Sequence, residues 1–173
     1  MTGVVRLLIP DDVAQYRAMR LAALREHPEA FAASYEQEAG MDDAFFVSRL
    51  GGATAEAFAG TFGSFVDAVL VGITGMRQHP WPKMRHGAHV VSVYVDPAHR
   101  RGGYAGRLMD AVTAQARRLG LALLTLDVTV GNDRARRFYV ARGFVSNGVA
   151  RRGLLVNGRY YDEERMQLDL DTP

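Results

Sequence analysis

Val91-Ser92-Val93-Tyr94-Val95-Asp96-Pro97-Ala98-His99-Arg100-Arg101-Gly102-Gly103-Tyr104-Ala105-Gly106-Arg107-Leu108 is the stretch whose reading decides the fold. Its β-branched opening reads as a buried strand. Asp96-Pro97 ends that strand, because proline cannot donate to a ladder and restricts the residue before it. A basic, glycine-rich turn follows. Ala105, Leu108, Met109, Val112, Ala116 and Leu119 then recur at helical spacing. A strand, a glycine-rich turn and a helix N-terminus together make an anion site, since free N–H groups and the positive end of the helix dipole converge there.

Spacing narrows the anion. No Gly-Lys-Ser/Thr follows the glycines, and no Gly-x-Gly-x-x-Gly precedes an acidic residue spaced for a ribose, so neither nucleotide loop fits. Arg100-Arg101-Gly102-Gly103-Tyr104-Ala105 reads Arg-x-x-Gly-x-Ala. It resembles the acyl-coenzyme A pyrophosphate loop of the GNAT N-acetyltransferase superfamily, Gln/Arg-x-x-Gly-x-Gly/Ala. The plain alternative is a surface turn with two solvated arginines.

At 173 residues the chain suits one domain, expected to span 1–173. A hydrophobic share of 48% with 23% charged residues fits an ordinary globular protein. The absence of cysteine excludes disulfides, thiolate metal sites and a cysteine nucleophile. The N-terminus turns acidic at Asp11-Asp12, too soon for a signal peptide, and no apolar run is long enough to span a bilayer. A cytoplasmic protein that engages neither membrane nor nucleic acid is expected, the net charge being only +2. Lys83 is the single lysine, and most arginine clusters read as solvated helix faces.

Outward from the opening stretch, Val4–Ile9 reads as a first strand and Pro10-Asp11-Asp12 as the start of a helix ending near Glu26. Arg17 and Arg20 fall within its apolar arc of Val13, Tyr16, Leu21 and Leu24. Either their stems snorkel along the edge, or one lines an acceptor pocket and pairs with a substrate carboxylate. Residues 30–40 read as a polar connection, 42–50 as a short helix, and 61–66 with 69–76 as a hairpin. Leu121–Val130 reads as a second buried strand, parallel to the first across a right-handed βαβ unit. Asn132 is a helix N-cap and Gly143 the stop of that helix. Residues 144–150 and 154–170 are strands, with a tight turn at Asn157-Gly158.

A second motif, Asn132-x-x-Ala135-x-x-Phe138-Tyr139-x-x-x-Gly143-Phe144, resembles the Asn-x-x-Ala-x-x-Phe-Tyr…Gly-Phe segment of the same superfamily. The resemblance covers nearly the whole chain. It implies the GNAT fold: α/β, one mixed central sheet of about seven strands flanked by about four helices, with a strand pair splayed at the cofactor cleft. It also implies acetyl-CoA as cosubstrate without a metal, and direct attack by a bound amine in a ternary complex. Val93 and Val95 would then hold the pantetheine arm. The N–H groups of Arg101, Gly102, Gly103, Tyr104, Ala105 and Gly106 would hold the pyrophosphate, with Arg100 at the first position of the motif. Asn132 and Phe138 would line the pantetheine side. A non-catalytic acyl-CoA-binding module on the same fold is the alternative. Many relatives pair through their C-terminal strands, which leaves a homodimer open.

For chemistry, Tyr139 matches the tyrosine that many relatives place near the thioester sulfur as general acid; the plain reading is a half-buried helix tyrosine. His89, Val91, Val93 and Val95 alternate, which would put His89 on the face of the pantetheine-binding positions. A histidine there can take an ammonium proton. Equally, it can be a hydrogen-bonded strand histidine. Glu36 and Glu38 are the reserve bases. His86-x-x-His89 lacks a further ligand for a metal, and the acceptor amine, a small molecule or a protein N-terminus, has no motif.

Overall fold

The structure is a computed structural model, and it describes residues 3–53 and 57–170. In chain order the elements are β1 (Val4–Leu7), α1 (Val13–Glu26), α2 (Tyr35–Ala39), α3 (Asp43–Leu50), β2 (Gly51–Ala53), β3 (Phe58–Val66) and β4 (Val69–Gln78). They continue as β5 (Gly87–Val95), α4 (Tyr104–Arg118), β6 (Leu123–Thr129), α5 (Asp133–Val140), β7 (Val145–Val156) and β8 (Arg159–Asp169). The strands form one mixed sheet in the order β1-β3-β4-β5-β6-β8-β7, with β2 added to β3. No described helix is long and apolar enough to cross a membrane.

This is the expected architecture, with two elements added. The polar stretch 30–40 contains α2, because Ser34 caps it by accepting from the Gln37 N–H. Gly51, at φ 22°, ends α3, and the chain then pairs with β3 as β2 rather than remaining a loop. The hairpin of β3 and β4 turns at Asp67-Ala68, both at positive φ (47° and 66°), which suits a type I′ turn. Asn157 (φ 49°) and Gly158 (φ 77°) make the same kind of turn between β7 and β8.

Two apolar clusters lie on the faces of the sheet. On one face, Leu108, Met109, Val112 and Ala116 of α4 pack with Val90, Leu124, Leu126, Tyr139 and Phe144. Leu119, expected on that stripe, is 37% exposed because it caps the end of α4. On the other face Tyr16 and Met19 of α1 and Phe46 of α3 pack on Phe65, Ile73 and Tyr94. In β6 Leu124, Leu126 and Val128 are core, while Val130, expected within the strand, lies just past its end and is exposed.

The parallel pairing of β5 with β6 covers only Gly87–His89 against Leu123–Thr125. Beyond His89 the two strands part, as expected. β5 also carries a bulge: Gly75 faces Val91 but Ile73 faces Tyr94, so Ser92 and Val93 together oppose Thr74. Ser92 takes φ 58° to make it. The bulge corrects the expected alternation, because one extra residue moves every later side chain to the opposite face. His89 and Val91 share a face with Tyr94, whereas Val93 and Val95 join Ala88 and Val90 against the α4 cluster.

Candidate active site

The parted strands open onto two adjoining cavities, of about 450 and 260 Å³, that share Phe31, Val93, Asn132, Ala135 and Tyr139 as walls. The smaller runs past Val95, Arg100, Ala105 and Phe138 toward the start of α4. The larger runs past His89 and Asp127 toward Arg20, Arg49 and Arg77. Residues from both sequence motifs therefore meet in one cleft. Arg101, Gly102, Gly103, Tyr104 and Gly106 border neither cavity; they form the turn immediately before and into α4.

That turn is built for an anion. Gly102 donates its N–H to His99, but the N–H groups of Arg101, Gly103, Tyr104, Ala105 and Gly106 have no protein acceptor among the described residues. Gly103 sits at φ 75°, a conformation that requires glycine, whereas a Cβ on Gly106 would meet only the movable end of the Arg142 side chain. The Arg100 side chain turns away from the turn. It donates to the Val95 carbonyl (3.2 Å) and to Glu26 (3.3 Å), which anchors the turn to the end of α1. The Tyr104 ring packs edge-on to His99 under the Arg107 guanidinium.

Asn132 caps α5, accepting from Ala135 N–H at 3.2 Å. The helix it starts carries Phe138 and Tyr139 into the cleft. Tyr139 is 7% exposed, edge-on to Phe138 and Phe144. Its hydroxyl has no protein partner among the described residues. Burial raises its pKa well above the ordinary phenol value, so the O–H keeps its proton at any physiological pH.

His89 lies at the other end, next to the last paired residue of β6. Its Nδ1 is 2.9 Å from Thr125 Oγ1, and Thr125 Oγ1 is 3.4 Å from the Ala88 carbonyl. A chain in which Nδ1–H donates to Thr125 and Thr125 donates to Ala88 satisfies both groups. It leaves the Nε2 lone pair free, 3.5 Å from Asp127 Oδ2. Burial lowers the His89 pKa below 6.5, with Asp127 opposing and Arg165 and His79 adding to the fall. The imidazole is thus neutral near pH 7. Asp127 is held by Arg165 through two 2.9 Å hydrogen bonds, and Glu163 lines the same cavity with its pKa raised by burial and by Asp127.

Neither reserve base is placed for that role. Glu38 is 1% exposed and clamped by Arg20 at 2.8 and 2.9 Å, while Glu36 is exposed and borders neither cavity. Arg20 does not snorkel; it is 4% exposed and also donates to Ser92 Oγ at the bulge. Arg17 instead pairs with Asp43 and lies over Phe46.

Asp127, Glu163, Arg49 and Arg77 were not legible as site residues. One signal existed for Asp127. Thr125, Asp127 and Thr129 alternate with three apolar residues in β6, which marks a polar strand face.

Comparison with known proteins agrees with this arrangement. The sequence profile of the Acetyltransferase (GNAT) family matches residues 15–144. The chain belongs to the GNAT acetyltransferase family. Its activity is that of an N-acetyltransferase. Among solved structures, an N-acetyltransferase of Staphylococcus aureus aligns at TM-score 0.80 and 16% identity, over 99% of this chain and 100% of that one. YncA, a putative acetyltransferase of Salmonella typhimurium solved with its cofactor acetyl-CoA, aligns at TM-score 0.80 and 21% identity, over 100% and 96%. A ribosomal-protein-alanine N-acetyltransferase of Brucella melitensis aligns at TM-score 0.77 and 20% identity, over 96% and 99%. These likenesses concern the fold. No curated protein matches the chain by sequence.

Proposed function

We propose that this GNAT chain, one domain over residues 1–173, holds acetyl-CoA along β5 and transfers its acetyl group to a small primary amine. The observation that carries the reading is the parting of β5 from β6 after His89, with His89 and Tyr139 on the walls of one cavity. The residues present fit the cosubstrate. From Val90 to Val95 the edge of β5 that faces β6 has no strand partner among the described residues, so it can pair with an extended amide-bearing arm. The unsatisfied N–H groups at the start of α4 fit a pyrophosphate. Val93, Val95, Ala105, Asn132 and Phe138 wall the path between them.

When bound, acetyl-CoA supplies an activated thioester, whose acetyl passes to the amine nitrogen as the C–S bond breaks. The chain's own residues handle the protons. Asp127 holds the incoming ammonium beside His89, and His89 Nε2 accepts one of its protons, leaving a nucleophilic lone pair. Tyr139 O–H donates to the departing thiolate and regains a proton from the second one that the acylated nitrogen sheds. His89 then returns its proton to solvent.

Incubation with acetyl-CoA and a broad amine panel, read by thiol release and product mass, tests the reading. Acetylated amine is the expected result; tight acetyl-CoA binding without acetylation of any amine would make the chain a binding module instead. Within the site, Tyr139→Phe is expected to lower turnover about 100-fold while calorimetry finds acetyl-CoA affinity nearly unchanged. Unaltered turnover would remove Tyr139 as the acid. Gly103→Val forces a β-branched residue into the left-handed region at φ 75° and displaces the turn. It should weaken acetyl-CoA binding about tenfold, since strain of 1–3 kcal/mol accompanies such a conformation. Wild-type affinity would separate the turn from the pyrophosphate.

A further inference from the structure

The larger cavity is electrically divided, and the division bears on which amine it takes. At one end stand three arginines, Arg20, Arg49 and Arg77. Among the described residues one carboxylate answers them: Glu38, clamped by Arg20 and 3.6 Å from Arg49. Among the described residues Arg77 has no carboxylate partner. Its guanidinium donates instead to the carbonyls of Gly60 (2.7 Å), Met76 (3.1 Å) and Arg49 (3.1 Å), which fixes its position without neutralising it. Arg49 spends its charge on a 4.4 Å stack over Phe45 and the long contact with Glu38. Of its donors, only those on one terminal nitrogen have an anionic neighbour. Partly buried cations without counter-charge are costly, and one anion at the cavity wall would relieve both. Burial and the other two arginines already lower the Arg77 pKa, while the nearby Tyr16 hydroxyl opposes that fall.

The opposite wall has the reverse character. Asp127 and Glu163 face the cavity beside neutral His89, with Arg165 as their one cation. Arg77 and His89 are register partners on β4 and β5, and His89 and Thr125 are partners on β5 and β6. Two strand spacings, roughly 10 Å of backbone, therefore separate the strand bearing the cation from the strand bearing Asp127. The Arg77 side chain leans away from β6, to the carbonyls of Gly60 and Arg49, so the acceptor's carboxylate meets the arginine end through Arg49, which lines the same cavity.

Resting on the acetyl-transfer reading, we propose that the acceptor is a free amino acid, its ammonium at Asp127 and His89 and its carboxylate at Arg49. A simple amine would leave the arginine end unanswered. A polyamine would bring further positive charge to it.

The test pairs each acceptor with its own carboxamide. The full chain is assayed with acetyl-CoA and glycine, leucine, methionine or glutamate, each alongside the corresponding carboxamide, which keeps the amine and removes the charge. A charge-assisted contact predicts kcat/KM about 30-fold higher for at least one free acid over its carboxamide. In Arg49→Gln that ratio should collapse toward unity, through KM of the free acid. Arg49 is only partly buried, and a melting curve confirms that the variant is folded. Equal rates on acid and carboxamide, or a ratio that survives in Arg49→Gln, would overturn the inference and leave acetyl transfer standing. Absence of acetylated product from every amine, acid and carboxamide alike, would overturn acetyl transfer, and the acceptor with it.

Discussion

His89→Gln should lower kcat/KM for amine acetylation by about two to four orders of magnitude, the usual contribution of a positioned general base. Glutamine spans a similar length and can still reach Thr125, so the fold is expected to survive while the proton acceptor is lost. The acid limb of the pH profile separates this role from a structural one. His89 must be neutral to act, and burial holds its pKa below 6.5. The kcat/KM of the wild type should therefore fall only as pH drops through a value below 6.5, with the base ready at pH 7. In His89→Gln that limb should vanish. Asp127→Asn sharpens the sign. Asp127 raises the His89 pKa, and Arg165, freed of its partner, lowers it. The limb in that variant should move to still lower pH. A limb that stays put in both variants would assign the proton to another group.

How much of this was legible depended on whether a residue's role was local. The turn before α4 is local: glycine at a positive φ, a helix start and free N–H groups all lie within six residues, so its geometry was legible. Tyr139 and Asn132 were legible as a local pattern for the same reason, lying about two turns of one helix apart. His89 does line the cleft, but not on the face of Val93 and Val95 that the alternation predicts. Period-2 counting assumes an unbroken pleat, and nothing in Val91-Ser92-Val93 announces the extra residue that reverses it. Asp127 and Glu163 come together only when β8 is laid beside β6, a pairing with no local signature. Arg20 misled because an arginine in an apolar arc reads as amphipathic until its partner, Glu38, arrives from α2 eighteen residues later.

That pair carries the largest expected effect on stability. Arg20 and Glu38 are 4% and 1% exposed, joined by two hydrogen bonds of 2.8 and 2.9 Å, and Arg20 continues to Ser92 at the bulge. Glu38→Gln removes the carboxylate that, among the described residues, pairs with Arg20 and approaches Arg49. Breaking a buried pair by one partner leaves an unanswered charge in low dielectric, at a cost of about 3–5 kcal/mol. For a chain of this size that corresponds to a fall in Tm of roughly 10–15 °C. Replacing both partners, Arg20→Met with Glu38→Leu, removes the charge along with its counter-charge. The double variant should melt well above Glu38→Gln. Its acetylation should nevertheless stay impaired, because Ser92 loses the donor that ties the bulge to α1, and the bulge sets which face Val93 and Val95 present to the cleft. Recovery of Tm without recovery of kcat would assign the pair to positioning β5. Full recovery of both would reduce it to a packing element, and no recovery of Tm would mean that hydrophobic side chains cannot fill the space the ion pair leaves.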